Sequence, residues 1–354
     1  MAEVVSGARG SSVPAEDLAH ILHHTRELWE ELRGKRVFIT GGTGFFGCWL
    51  LESFCHANAQ LELGAEAVVL TRSAESFRSK APELAAQPSI ALAEGDVKSF
   101  AFPSGEFSHV IHAATEVNPL PRMLDPLLMF DGNIAGMRRV IDFCRQSGAR
   151  KLLFTSSGMA YGRQPSDMTH VTETYEGAPS SLDLNSAYGQ SKRACEFLCA
   201  AFNREPNVDV TVTRCFAFAG PHLPLDANFA IGNFVRDALK GGPIRIGGDG
   251  TPWRSYLYAA DLAIWLWTIL FRGRSAAIYN VGSDVGLTIE DLARLVVEIV
   301  SPGAEVIVAQ KADPAKPAAR YVPSVERART ELALDVWVDL PESISRMAAW
   351  NRAQ

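Results

Sequence analysis

The sequence carries no strong charge of either sign. Its 354 residues sum to a net charge of −6 at pH 7, which leaves no basic footprint for nucleic acid. No apolar run is long enough for a membrane span: the longest, residues 262–271, falls well short of the roughly 20 residues a transmembrane helix needs. The N-terminal stretch, with Glu3 and Arg9, lacks the apolar core of a secretory signal. The six cysteines (48, 55, 144, 195, 199 and 215) show no CxxC or zinc-type spacing. They read as buried free thiols in a reducing compartment, and no metal site is expected. Internal repeats and low-complexity tracts are absent as well. These absences lead to the expectation of a cytoplasmic globular protein with neither nucleic acid nor membrane as partner. What is present is ordinary soluble material, 47% apolar and 21% charged, enough for one large or two medium domains.

The pattern along the chain is an alternation. Residues 1–14 read as a disordered tail, and 15–33 carry apolar residues at helical spacing. Strands are predicted at 37–40, 67–71, 90–94, 109–113, 152–156 and 208–214, with helices at 45–57, 126–147 and 188–203 between them. Such alternation predicts a doubly wound parallel sheet of Rossmann type, class α/β. After Gly220-Pro221 the pattern loosens into helices near 229–240, 258–272, 288–299 and 340–351. The expected division is therefore 1–33 for a tail and an extra helix, and 34–219 for a dinucleotide-binding domain. A smaller α/β lobe, mainly substrate-binding, takes 220–354.

Two motifs carry the chemistry. The first is Thr40-Gly41-Gly42-Thr43-Gly44-Phe45-Phe46-Gly47, between a strand and a helix. Gly41, Gly44 and Gly47 allow a tight turn and a close backbone approach to a pyrophosphate at the helix N-terminus, flanked by Phe45 and Phe46. A dinucleotide fold commonly has an acid after strand two to hold the ribose, whereas this chain reads Thr71-Arg72-Ser73. Arg72 suits a 2′-phosphate and favours NADP over NAD; the alternative is a plain ribose served by Thr71 or Ser73. Asp96 and Val97 after strand three are placed for adenine, and His112-Ala113-Ala114 lets a cofactor lie close to the end of strand four. Thr115, just beyond, is a candidate for the substrate. The second motif is Tyr188-Gly-Gln-Ser-Lys192, preceded by Thr155-Ser156-Ser157. Tyr188 and Lys192 share one helix face. An ammonium beside a phenol, together with a cationic nicotinamide, lowers the phenol below its ordinary value near 10. Tyr188 then becomes a general base, with Ser157 bonding the same reacting hydroxyl.

These motifs, in this order, resemble the extended short-chain dehydrogenase/reductases, specifically the nucleotide-sugar epimerase/dehydratase family, over about residues 35–340. The resemblance implies an NAD(P) cofactor, a nucleotide-diphosphate sugar as substrate and a homodimer. It implies Ser157, Tyr188 and Lys192 as the catalytic trio and Asn133 as a structural asparagine near the cofactor. Gly248-Asp249-Gly250 with Arg254, then Tyr258 and Asp261, resembles the stretch that binds the diphosphate, and Arg320 lies where a second contact is often found. Two departures matter. Gly158-Met159 stands where dehydratases carry Asp-Glu and where decarboxylases carry a glutamate at the second position. Ala217 stands where the family has a phosphate-binding asparagine, for which Asn233 is a possible replacement or else an ordinary helix amide. The expected activity is a nucleotide-sugar epimerase acting by transient oxidation of a sugar hydroxyl, with C4 the expected carbon. The alternatives are an NADPH-dependent reductase of a 4-keto-6-deoxy sugar, a dehydratase or decarboxylase, and a non-catalytic NADP-binding sensor.

Overall fold

The computed structural model describes residues 12–115 and 125–354. A seven-stranded parallel sheet forms its centre. Its strands are β1 (Arg36–Thr40), β2 (Glu66–Thr71), β3 (Ile90–Glu94), β4 (His109–His112), β5 (Lys151–Ser157), β6 (Asp209–Cys215) and β7 (Ile278–Val281). They lie in the order β7-β6-β5-β4-β1-β2-β3. The order reverses between β1 and β4, where Thr40 pairs with His112. Ligands of such sheets sit in the crevice beyond the strand ends at that switch point. The strands are Val-, Ile- and Leu-rich because helices cover both faces of a parallel sheet.

One face is packed by α1 (Ala15–Thr25), α2 (Phe45–Gln60) and, from far along the chain, the helix Ala259–Arg272. Their shared core includes Trp29, Trp49, Phe54, Trp265 and Trp267, all fully buried. The other face is covered by α3 (Pro126–Ser147) and α4 (Ala187–Phe202) over a cluster containing Phe38, Phe100, Phe143 and Phe154. The boundaries of α3 follow from local chemistry. Asp125 accepts the Leu127 N–H, Pro126 occupies the first turn, and Gly148 ends the helix at φ +71°. Past Gly220 come α5 (Ala230–Leu239), α6 (the helix Ala259–Arg272), α7 (Ile289–Val300) and α8 (Leu340–Arg352). A third apolar cluster joins α5, α7 and α8 through Phe234, Val235, Leu292, Val296 and Met347.

The sequence-based division differs from this arrangement in three places. Residues 15–33 are not one α-helix: after Thr25 the chain tightens into a 3-10 turn over Arg26–Leu32, which turns Trp29 and Leu32 into the core. The tail expected over 1–14 lies mostly outside the described residues, but Val13 at its end is buried. Finally, α6 and β7 fall beyond the 219/220 boundary yet belong to the layers of the main sheet. Burial decided this, because α6 is apolar all round and needs cover on every side. Among the described residues, no helix is long and apolar enough to cross a membrane.

Candidate functional site

The glycine loop leaves β1 at Thr40 and enters α2. Gly41 has φ +74°, and a Cβ there would lie 2.5 Å from the Ala113 carbonyl carbon and 2.6 Å from the Ala114 nitrogen. A Cβ on Gly47 would come within 2.2 Å of Gly42. Glycine is thus required where the loop presses on the end of β4 and on itself. Gly44 stands at the start of α2 with no side-chain cap. The first N–H groups of the helix, those of Phe45, Phe46 and Gly47, therefore have no acceptor within it. The Phe46 ring packs edge-on to Phe218 at 5.0 Å and the Phe45 ring lies 5.8 Å from Phe46. An uncapped helix start beside a glycine turn fits a pyrophosphate.

Around this loop the remaining cofactor candidates gather. The Thr40 hydroxyl is 2.7 Å from His112 Nδ1 and accepts the Ala114 N–H at 3.1 Å. Burial, reinforced by Lys192, pushes His112 down to about 3, so the ring is neutral. Asp96 is half-buried; it accepts the Lys98 N–H at 2.9 Å, and Lys98 Nζ stands 3.8 Å away. Val97 packs on Gly136 of α3. Arg72 is exposed at the end of β2. Beside it the Thr71 hydroxyl donates to the Ser73 carbonyl, and Ser73 caps the next helix through the Ser76 N–H. Neither hydroxyl is idle. Lys80, missed in the sequence, donates to the Thr43 carbonyl at 2.8 Å and brings a second cation to the loop.

The catalytic candidates come from β5 and α4. The Ser157 and Thr115 side chains lie beside the Tyr188 hydroxyl and favour its ionised form. The Ser157 Oγ also accepts the Met159 N–H at 3.1 Å. Thr115 donates to Asn133 Oδ1 at 3.2 Å, Asn133 donates to Ser191 at 2.9 Å, and Ser191 donates to the Tyr188 carbonyl at 2.9 Å. This chain of bonds ties α3 to α4. Lys192 is buried and donates to the Thr155 carbonyl at 2.9 Å. An ammonium has three protons to give, so one such bond leaves donors for a ribose diol. Behind them, Glu196 accepts from Ser156 at 2.6 Å and pairs with Arg214 at 2.6 Å in full burial.

In the protein without a nicotinamide, Lys192 alone does not lower the Tyr188 phenol. Burial pushes the Tyr188 phenol up to about 12, although Ser157 and Thr115 beside it act the other way. The Lys192 ammonium lies 5.7 Å from the ring centre and is itself pushed down to about 8 by burial. It does not offset the loss of water around the phenol. In the protein by itself, desolvation outweighs a cation at that distance.

The substrate candidates do not all meet. Arg254 and Arg320 sit on two short paired strands, Trp253–Arg254 and Arg320–Tyr321. Arg254 pairs with Tyr321 and lies with its guanidinium 5.7 Å from that ring. Arg320 pairs with Trp253 and stacks on it at 4.7 Å, on the opposite face. The Tyr321 hydroxyl lies beside Ser157 and donates to the Cys215 carbonyl at 3.4 Å. The structure therefore brings Tyr321, not Arg320, to Tyr188. The sequence offered no signal for it, because a strand of two residues is too short to show an alternation. Asn233 accepts from Arg236 at 3.1 Å within α5, as an ordinary helix amide does.

Several other assignments also change. Tyr258 and Asp261, read with the diphosphate stretch, are both fully buried and hold the N-terminal helix and the C-terminal segment. Tyr258 donates to Asp17 at 2.7 Å, and Asp261 accepts the Trp337 and Val338 N–H groups at 3.0 Å. His20 lies 3.2 Å from Asp261, while His24 packs on Trp337 at 4.1 Å. Glu173 is half-buried and accepts the Asn280 N–H at 3.0 Å.

Comparison with known proteins agrees with this architecture. Residues 37–282 match the model of the NAD dependent epimerase/dehydratase family. UDP-glucuronic acid decarboxylase 1 of Arabidopsis thaliana is 27% identical over 315 residues, covering 89% of this chain and 69% of that protein. The UDP-glucose 4-epimerase of Thermus thermophilus, solved in complex with NAD, superposes with a TM-score of 0.71 at 26% identity. That match covers 90% of this chain and 99% of the other. The dTDP-glucose 4,6-dehydratase of Streptomyces venezuelae, solved with NAD bound, gives 0.75 at 22% identity, covering 90% and 97%. The last likeness shows the fold alone.

Proposed function

The chain belongs to the NAD dependent epimerase/dehydratase family and is an enzyme of that kind, and on that premise we propose that it is a nucleotide-sugar epimerase acting by transient oxidation. Gly41, Gly44, Gly47 and the N–H groups of Phe45 and Phe46 hold the pyrophosphate, Asp96 and Val97 border the adenine, and Lys192 takes the ribose. The bound nicotinamide supplies acceptance and return of a hydride. Tyr188 removes the proton from a sugar hydroxyl and later gives it back, and Ser157 bonds the same oxygen. A cationic nicotinamide held there would lower the Tyr188 phenol, which the protein alone leaves at about 12. Arg254 draws the diphosphate to the other side of the cleft. Arg72 with Lys80 suits the extra phosphate of NADP. Exposed Leu127, Leu128 and Phe197 on α3 and α4 offer the apolar face for a homodimer.

The observation that carries epimerisation over elimination is Gly158-Met159. A Cβ at 158 would lie 2.7 Å from the Tyr321 oxygen and 2.8 Å from Phe216 Cζ. The place for a second carboxylate is thus filled by aromatic rings, and Met159 moves no protons. A decarboxylase is the second reading, favoured by the similarity to UDP-glucuronic acid decarboxylase 1. The test is a mass-resolved assay with UDP-, GDP-, CDP- and dTDP-sugars and sugar acids, with and without NADPH. An isomer of unchanged mass, formed without added reductant and lost in Tyr188→Phe by roughly 10²–10⁴-fold, is the expected result. Release of carbon dioxide from a sugar acid would move the enzyme to the second reading. Gain of two hydrogens from a keto-sugar with NADPH would make it a reductase.

A further inference from the structure

The helix that carries Tyr188 and Lys192 is fixed to the sheet by a buried ion pair that the reaction as described does not use. Thr155, Ser156 and Ser157 end β5 in three consecutive steps. Lys192 donates to the Thr155 carbonyl at 2.9 Å, and one turn further along α4 Glu196 accepts the Ser156 hydroxyl at 2.6 Å. The helix is thus held to β5 at two neighbouring residues, immediately before Ser157. Glu196 also takes two bonds from Arg214 of β6, from Nε at 3.0 Å and from Nη2 at 2.6 Å. Ser156 and Arg214 are paired directly across β5 and β6. One carboxylate therefore spans a rung of the sheet and ties it to the helix.

Stability is not what such a pair supplies. Glu196 and Arg214 are only 8% and 5% exposed. Taking two charges that far out of water costs about what their attraction returns, and an apolar pair of similar volume is often as stable or more so. What the pair supplies is direction. A carboxylate held by a two-pronged guanidinium and a hydroxyl has one placement, whereas apolar side chains in the same space have no such single setting. Arg214 is itself held from behind. Its guanidinium lies 4.1 Å over the Tyr161 ring, and the Tyr161 hydroxyl donates to Asn280 Oδ1 of β7 at 2.8 Å. The anchor therefore belongs to the sheet and not to the helix. Tyr188, Lys192 and Glu196 follow one another at steps of four residues, so a shift at Glu196 carries the other two with it. We propose that Glu196 is a positioning residue for Lys192 and Tyr188: its carboxylate, gripped by Arg214 and Ser156, sets the rotation and height of α4 over the end of β5. The inference rests on the reading of Lys192 as the ribose contact and Tyr188 as the base.

The test replaces the ion pair by Glu196→Met together with Arg214→Met, because methionine is long, apolar and packs well on the Tyr161 ring. NAD affinity is measured by titration calorimetry beside the melting temperature, in nucleotide-free protein and without substrate. The double variant is expected to melt within a few degrees of the unaltered protein. It should bind NAD about tenfold more weakly, the worth of one charge-assisted hydrogen bond from a displaced Lys192. With a donor that the enzyme turns over, kcat should fall about 10–100-fold while KM stays within about twofold, as expected when the base is misplaced and the sugar contacts are not. Ser156→Ala leaves the ion pair and removes only the bond to β5; it should weaken NAD binding about threefold. A double variant that melts normally and binds NAD as the unaltered protein does would overturn the proposal and leave the pair as interior packing. If the double variant does not fold, Ser156→Ala decides: weaker NAD binding supports the proposal, and unchanged binding overturns it. Neither melting nor NAD titration needs a substrate, so absence of turnover by the unaltered enzyme with every donor would overturn the epimerase reading separately.

Discussion

The two walls of the cleft are made of different material. The cofactor side is backbone: Gly41 lies against Ala113 and Ala114, Gly47 lies against Gly42, and the helix start behind them offers N–H groups. The opposite side is side chains, with Arg254, Phe216 and Tyr321 brought from three separate segments onto the end of β5. A backbone wall has little room for substitution, because a Cβ at Gly41 or Gly47 overlaps nearby backbone. A side-chain wall can be re-cut one residue at a time without disturbing the sheet beneath it. The first arrangement suits a ligand that is always the same, and the second suits one that differs from enzyme to enzyme.

Three substitutions sharpen this contrast, and the largest falls on the backbone wall. Gly41→Ala combines a left-handed φ, costing about 1–3 kcal/mol, with an overlap of similar cost against Ala113 and Ala114. It should lower thermal stability and abolish cofactor retention together. If the variant keeps NAD at unaltered stability, the backbone account of this wall fails. Next comes Arg254→Ala on the side-chain wall. Loss of a charge-assisted bond to phosphate, worth roughly 1.5–3 kcal/mol, should raise KM about 10–100-fold with the melting temperature and bound cofactor unchanged. A loss of cofactor instead would place Arg254 on the wrong side of the comparison. The smallest effect belongs to Arg72→Ala. An exposed ion pair is worth up to about 1 kcal/mol, so NADP affinity should fall about fivefold while NAD affinity holds. Equal loss for both would show that Arg72 does not read the 2′-phosphate.

The same contrast explains what could be read from the residues in order. The glycine loop, α3 with its Asp125-Pro126 start and Gly148 end, and the Tyr188/Lys192 spacing are local patterns, and their geometry is fixed within one or two turns of chain. Tyr321 touching Ser157 is not local. It depends on a strand of two residues pairing with another of two residues, too short to show a period. β7 was likewise hidden: Tyr279-Asn280-Val281 reads as a strand fragment anywhere, and only the sheet edge beside β6 says where it goes. The raised phenol of Tyr188 in the protein alone was hidden for another reason. Spacing shows that a lysine is near but not how much water the phenol loses.

The position of β7 also bears on how the chain is made. The main sheet gains its last strand only with Ile278–Val281, and the face behind β1 is closed by Ala259–Arg272, on which the first helix of the chain rests. On a ribosome, chains fold domain by domain from the N-terminus. Here the cofactor half cannot complete its core until Val281 has been synthesised, so α1 must wait for a partner some 240 residues downstream of it. During that interval its apolar face and the edge of β6 stand uncovered, which makes a nascent chain stalled before residue 259 the form most exposed to chaperones and to aggregation.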